Sequence, residues 1–409
     1  MEWQPISDQS RISIIDILRG VAVFGIFFVN IVMMSSPDIF YQRAGVLPEE
    51  SSINYAVRLM IDMFFTGKFY PILSFLFGFG FFIFMQRAEV RGIRVYPLFM
   101  RRMLLLLALG VLHLLLLWSG DVLHTYALLG LVLMMFYRRR AKTAFRWAVW
   151  ILVLYFSLFS LAFLQPADEA AATMAAHYQQ ASATAAASTA MYQSEGNYAE
   201  WFVFRLQNEV LPNLAMEFIT YPCIFAMMLF GFYFGKTGVF ADVLRYAGLF
   251  RALRKGCGAI GLTLAGGLAV IRLRWIDLGV FSLIGESLLI YLSGIFLSFF
   301  YISVVVLMYR RFYGQKLLYP FLHAGQMAMT NYLGQSFISF AVFAGAGFYG
   351  KFDFLVCIMY CLEVILLQLA FSIWWMRRFR FGPVEWVWRR LTYGGLGSWK
   401  KGTPGHRNF

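Results

Sequence analysis

Long apolar stretches recur from one end of this chain to the other, separated by short polar or basic connections. Ten of them, at about 12–34, 68–86, 103–118, 121–137, 146–165, 213–234, 256–271, 281–308, 318–346 and 353–376, approach or exceed a bilayer-crossing length. A helix needs about 20 apolar residues to cross the hydrocarbon core. The pattern therefore predicts an all-α, polytopic transmembrane helical bundle of about ten spans. The first stretch opens "RISIIDILRG", with an acid and a base inside it and no small-residue cleavage site after it. It reads as a retained span and not as a removed signal peptide.

The pattern lapses at 166–210, which is low in complexity and rich in helix-forming alanine. A helical excursion outside the membrane is the expectation there. Four regions follow: a first transmembrane half at 1–165, the Ala-rich acidic loop at 166–210, a second half at 211–376, and a terminal region at 377–409. Five spans on each side of the loop would enter the membrane in opposite senses, as in inverted-repeat transporters. No residue-level repeat accompanies that arrangement. In the terminal region, "RFGPVEWVWRRLTY" starts with a proline suited to a first helical turn. It predicts a short helix lying in the interface, followed by a mobile, glycine-rich basic tail beyond Gly394.

Composition agrees with the pattern. The chain is 60% hydrophobic and only 14% charged, against roughly 25% charged in soluble domains. Its net charge of +14 could suggest a nucleic-acid partner, but the bases alternate with the spans. "RRRAKTAFR" and "RRFYGQK" are basic, whereas 166–210 holds Asp168, Glu169, Glu195, Glu200 and Glu209 beside a single base, Arg205. By the positive-inside rule both termini are cytoplasmic and the acidic loop external. The expected partner is the lipid bilayer, with no role for nucleic acid. Cys223, Cys257, Cys357 and Cys361 all fall in or beside spans and suggest neither a disulfide framework nor a metal site.

Against this background the polar residues within spans stand out, since ionisable groups in a bilayer usually face a cavity or a substrate path. The stretch "GVLHLLLLWSGDVLHTYALLGLV" at 110–132 carries His113, Asp121 and His124. A tight turn should bring His113 near Asp121 and His124, which are three residues apart and share a helix face. Asp121 can also act as a plain N-cap, and His113 as a structural histidine. Two histidines and an aspartate would need a further ligand to hold a metal, so none is expected. In the first span Asp16 and Arg19 can pair at i and i+3, and Asn30 lies near the external end. Lys68, Arg272 and Arg274 break the charge rule near external ends; snorkelling explains them, and so would a rim that holds an anion. Gln326, Asn331 and Gln335 bring amides to membrane depth, as helix glue or as substrate contacts.

The segments "DILRGVAVFGIFFVNI", "GKFYPILSFLFGFGF", "LHLLLLWSGDVLHTYALLGL", "GQMAMTNYLGQS" and "RFGPVEWVWRRLTY" resemble, in order, the signatures of the YeiB-like family of bacterial inner-membrane proteins. The resemblance implies a multi-pass protein of the bacterial cytoplasmic membrane. More distantly, "DILRGVAVFGIFFVN" is similar to the first span of transmembrane acyltransferases of the heparan-α-glucosaminide N-acetyltransferase type. That likeness implies acyl-CoA as donor, a small-molecule hydroxyl or amine as acceptor, and an active-site role for Asn30. A histidine that those enzymes carry eleven residues later is Tyr41 here.

Acyl transfer needs a base for the attacking group and a donor for the oxyanion. His113 or His124 would be the base, Asp121 would fix its partner's tautomer, and Asn30 would meet the oxyanion. Asp16, Arg19, Lys68, Arg272, Asn331 and Gln335 are the candidate substrate contacts. A transporter or channel remains the alternative, with Asp62, Glu217, Glu286 and Glu363 as further intramembrane carboxylates, as does a non-catalytic membrane partner.

Overall fold

The computed structural model describes residues 13–44, 51–193 and 197–394. The tail beyond Gly394 lies outside them. Among the described residues sixteen α-helices form and no β-strand does. In order they are α1 (Ser13–Ser35), α2 (Asp38–Arg43), α3 (Ser52–Phe64), α4 (Phe69–Val90), α5 (Val95–Leu116), α6 (Leu123–Leu133), α7 (Ala141–Ser160) and α8 (Ala167–Gln193). There follow α9 (Tyr198–Arg205), α10 (Leu211–Thr237), α11 (Ala247–Arg272), α12 (Ser282–Tyr309), α13 (Phe312–Gln326), α14 (Ala328–Phe340), α15 (Phe354–Arg378) and α16 (Pro383–Tyr393).

Seven helical stretches are long and apolar enough to cross a membrane. Three of the ten predicted spans take another form. The 121–137 stretch is a short apolar helix of Leu123–Phe136, and α11 begins with a basic half before its apolar run. The 318–346 stretch is not one helix: the chain breaks at Met327, whose backbone leaves the helical region at φ −120° and ψ 36°. The loop starts where expected, with α8 from Ala167, but ends earlier. Its 27-residue helix α8 packs Ala181 and Ala185 against Ile39, Phe40 and Trp118. Beyond it, α9 runs through a π-turn at Leu206–Val210 straight into α10, so that span begins at Tyr198.

Helices from the two sides of the loop interleave. α4 lies along α10 and α1 along α13, and both crossings depend on glycine. A Cβ on Gly78 would fall 1.8 Å from Met228 O, and one on Gly325 1.7 Å from Asp16 O. In lipid, where burial of apolar surface no longer drives association, such backbone approaches gain the packing that holds helices together. α7 lies at the periphery, with Trp147, Trp150, Leu154 and Leu158 exposed. So large an apolar face suits hydrocarbon and not water.

Candidate functional site

The turn 117–122 joins α5 to α6 at one end of the bundle. Gly110 on α5 makes the junction tight, since a Cβ there would lie 2.4 Å from His124 N and 2.8 Å from an Asp121 carboxylate oxygen. Asp121, 1% exposed, becomes the hub. Its Oδ1 lies 2.7 Å from His113 Nδ1. Its Oδ2 accepts the backbone N–H of His124 at 2.8 Å and lies 2.9 Å from that residue's Nδ1. The predicted grouping of His113, Asp121 and His124 is therefore present, and Asp121 caps the start of α6 while also holding both rings.

Two further groups extend the chain of contacts. Glu217 on α10 places Oε2 2.9 Å from His124 Nε2 and accepts from Thr125 Oγ1 at 3.2 Å. Asn213, one turn earlier, donates to Glu217 Oε1 and to Ser119 O. His124 thus faces a carboxylate at each ring nitrogen, which both nitrogens satisfy by carrying protons. His113 differs. It is 3% exposed, and its Nε2 is a buried atom without a hydrogen-bond partner among the described residues. Buried polar atoms are nearly always paired, so this nitrogen is the open end of the cluster. Its ring packs on Tyr332, centroids 5.3 Å apart, and the Tyr332 hydroxyl accepts from Val122 N at 3.2 Å.

Tyr332, Val122 and Tyr126 form one end of a cavity of about 260 Å³. Its sides are apolar, from Leu73, Phe77 and Phe81 on α4 and Met103 and Leu106 on α5, and Arg19, Arg102, Glu385 and Trp388 lie toward its other end. His113 does not line it. The terminal helix, expected as an interfacial anchor, also forms part of the wall. Glu385 reaches under the break at Met327 and accepts from Met329 N at 2.7 Å, Thr330 N at 3.0 Å and Thr330 Oγ1 at 2.5 Å. The two backbone N–H groups are donors that a helix start leaves without partners. Burial nevertheless pushes the Glu385 carboxyl above its ordinary range, against those three donors.

The other predicted site residues lie elsewhere. Arg19 donates to Asp16 at 2.9 Å and lines the cavity. Asn30 makes no hydrogen bond to the histidine cluster among the described residues. Asn331 donates to Ala324 O and Ser372 Oγ, and Gln335 donates to Gln368, so both tie the broken helix to α15. Arg272 donates to Asp62 at 2.7 Å and Glu286 at 2.8 Å. Lys68, fully buried, donates to Asp62 O at 2.7 Å. Among the described residues no group of three or more His, Cys, Asp or Glu has the geometry to hold a metal ion. Sequence reasoning missed Tyr332, Arg102 and Glu385, and noted Glu217 only as an intramembrane carboxylate. Such a glutamate, 92 residues along the chain from the Thr125 it meets, gives no local sign of its partner.

A multi-pass helical membrane protein with a buried His–Asp–His–Glu chain is the class these features define. Residues 234–395 match the family described as "Protein of unknown function (DUF418)". Over 402 residues the chain is 32% identical to the "Uncharacterized protein YxaH" of Bacillus subtilis (strain 168), covering 95% of this chain and 96% of that one. It is 28% identical over 393 residues to the "Uncharacterized protein YeiB" of Escherichia coli (strain K12), covering 94% and 96%. The chain belongs to this YeiB-like family.

Proposed function

We propose that the protein is an acyltransferase of the bacterial inner membrane, moving an acyl group from acyl-CoA to a hydroxyl or amine acceptor near the external face. The observation that carries this reading is His113, whose Nδ1 is held by a buried carboxylate while its Nε2 is left open. A carboxylate at Nδ1 fixes the tautomer in which Nε2 accepts a proton. His113 Nε2 would take the proton of the acceptor as its oxygen or nitrogen bonds the thioester carbonyl carbon. The C–S bond then breaks, and the departing thiolate recovers the proton from the imidazolium. His124, with a carboxylate at each ring nitrogen, is the poorer base and serves to hold Asp121. Asn30, implied as an oxyanion donor by resemblance alone, would have to meet the substrate and not the cluster.

The test is purified protein in lipid given radiolabelled acyl-CoA and sugar or amine acceptors. His113→Ala should lower transfer by about 10²–10⁴, the usual contribution of a general base, with an unchanged melting temperature. If wild type transfers nothing and His113→Ala melts early, the cluster is a structural joint. Orientation is tested apart from chemistry, with single cysteines at 178 and at 1 in a cysteine-free background. An impermeant reagent applied to intact cells should label 178 and spare 1; equal labelling overturns the assigned topology.

A transporter is the second reading, favoured by the break at Met327. Gln326, Ala328 and Met329 around the break line the cavity, and interrupted helices form the sites of many transporters. Flux of a solute across proteoliposomes without any transfer would select it.

A further inference from the structure

The cavity is much larger than an acetyl group requires, for holding one water takes only roughly 10–15 Å³ on this measure and the cavity offers about 260 Å³. Along α4 its wall runs from Leu73 to Phe84, eleven residues or about 16 Å of helix. Leu76, Phe77, Phe81 and Met103 give it the surface of a hydrocarbon channel. Gly80 stands in that wall, and a Cβ added there would meet nothing within 4 Å. Glycine inside a helix costs about 1 kcal/mol relative to alanine, so packing does not explain it, and what the residue does is leave the channel wide.

The end away from Tyr126 and Tyr332 is cationic. Arg102 lies with its guanidinium carbon 3.8 Å from the Trp388 ring centroid and 4.9 Å from that of Phe84. Its hydrogen bond is to the Tyr393 hydroxyl at 3.5 Å, and no carboxylate pairs with it among the described residues. A guanidinium held flat by aromatic faces keeps its in-plane donors for an anion of phosphate or carboxylate geometry. Arg19, paired with Asp16, adds a second base to the same end.

We propose that this cavity binds a single medium- or long-chain hydrocarbon tail carrying a phosphate-bearing head, with the head on Arg102 and the tail running along α4 toward Tyr126 and Tyr332. An acyl-CoA thioester and a single-chain phospholipid share that chemistry. In either molecule the carbonyl that begins the tail then lies at the Arg102 end, with the far end of the tail toward Tyr332, so this assignment stands apart from the acyl-transfer reading.

Equilibrium binding to the full chain in nanodiscs separates the cases, with radiolabelled decanoyl-CoA, acetyl-CoA and lysophosphatidic acid as probes. Decanoyl-CoA should bind at least about tenfold more tightly than acetyl-CoA. Gly80→Phe, whose Cβ meets nothing within 4 Å and whose ring would occupy the cavity, should lose that advantage at an unchanged melting temperature. Arg102→Gln should weaken binding at least about tenfold. Equal binding of the two thioesters, or wild-type binding by Gly80→Phe, overturns the assignment. Lysophosphatidic acid binding with the same variant dependence, while decanoyl-CoA does not bind, supports the cavity and removes the thioester. Tight decanoyl-CoA binding with no transfer to any acceptor leaves the cavity standing and sinks the acyl-transfer reading.

Discussion

Two buried polar clusters sit in this bundle, and they close differently. In the first, Arg272 offers one edge to Asp62 and another to Glu286, Asp62 also accepts from Thr66, and the whole unit joins α3, α11 and α12. With Lys68, which donates to the Asp62 carbonyl, two cations face two carboxylates, as a buried ion group needs if it is to repay its desolvation. In the second, Asp121 serves two histidines and Glu217 completes the ring of His124, yet His113 Nε2 has nothing. A saturated cluster can do little beyond holding helices together. An unsaturated one, fixed by the same kind of bonds, presents a reactive atom in a set orientation. Burial of ionisable groups alone does not distinguish a joint from a site; on the acyl-transfer reading the open nitrogen of His113 does.

The sharpest way to break this comparison is Asp121→Asn, which keeps the shape and removes the charge that fixes His113. Transfer should fall by about 10⁴, as when a carboxylate is lost from a hydrolytic triad, measured in the assay described for His113. A variant that transfers at wild-type rate would make Asp121 a helix cap only. Arg272→Gln should show the opposite profile. It strands Asp62 and Glu286 and should cost about 3–5 kcal/mol of stability, read from melting in detergent, while the surviving folded fraction transfers normally. A stable variant with lost transfer would show that Arg272 meets substrate after all.

The smallest effect belongs to Glu385. Its carboxyl is raised by burial, so the folded chain holds that proton more tightly than the unfolded chain does. Its contribution to stability is therefore full below the ordinary glutamate value of about 4.3 and is lost as pH rises through the window above it. Wild type should lose melting temperature across that window, and Glu385→Gln should lose less. Identical pH profiles would mean that the cap under α14 is not titrating there.

Much of the site could be read in the linear chain because its members are close along it. Asp121 and His124 lie three residues apart, and the short turn 117–122 makes the hairpin that returns His113 to them. The amides of "GQMAMTNYLGQS" were legible as membrane-depth polarity, but not as a break, since Met327 is an ordinary helix former and the interruption is held by Glu385 from 56 residues away. The terminal "PVEWVWRRLTY" shows the same limit. Its helix was predictable from Pro383 and the aromatic pattern, whereas its contact with α5 and α14 was not.

By itself the sequence determined that this is an all-α membrane bundle, because hydrocarbon demands internally bonded backbone over lengths that apolar runs make visible. It also determined the local grouping of His113, Asp121 and His124, through helical periodicity. Only the tertiary structure decided which nitrogen stays open, that Glu217 completes His124, that Arg102 lies between Trp388 and Phe84 with no carboxylate paired to it among the described residues, and that a cavity runs along α4 from Arg102 toward Tyr332. Those facts depend on which faces of distant helices meet, and glycine-mediated crossings such as Gly78 on Met228 and Gly325 on Asp16 set them. The packing energy behind such crossings belongs to pairs of surfaces, so neither segment carries it alone.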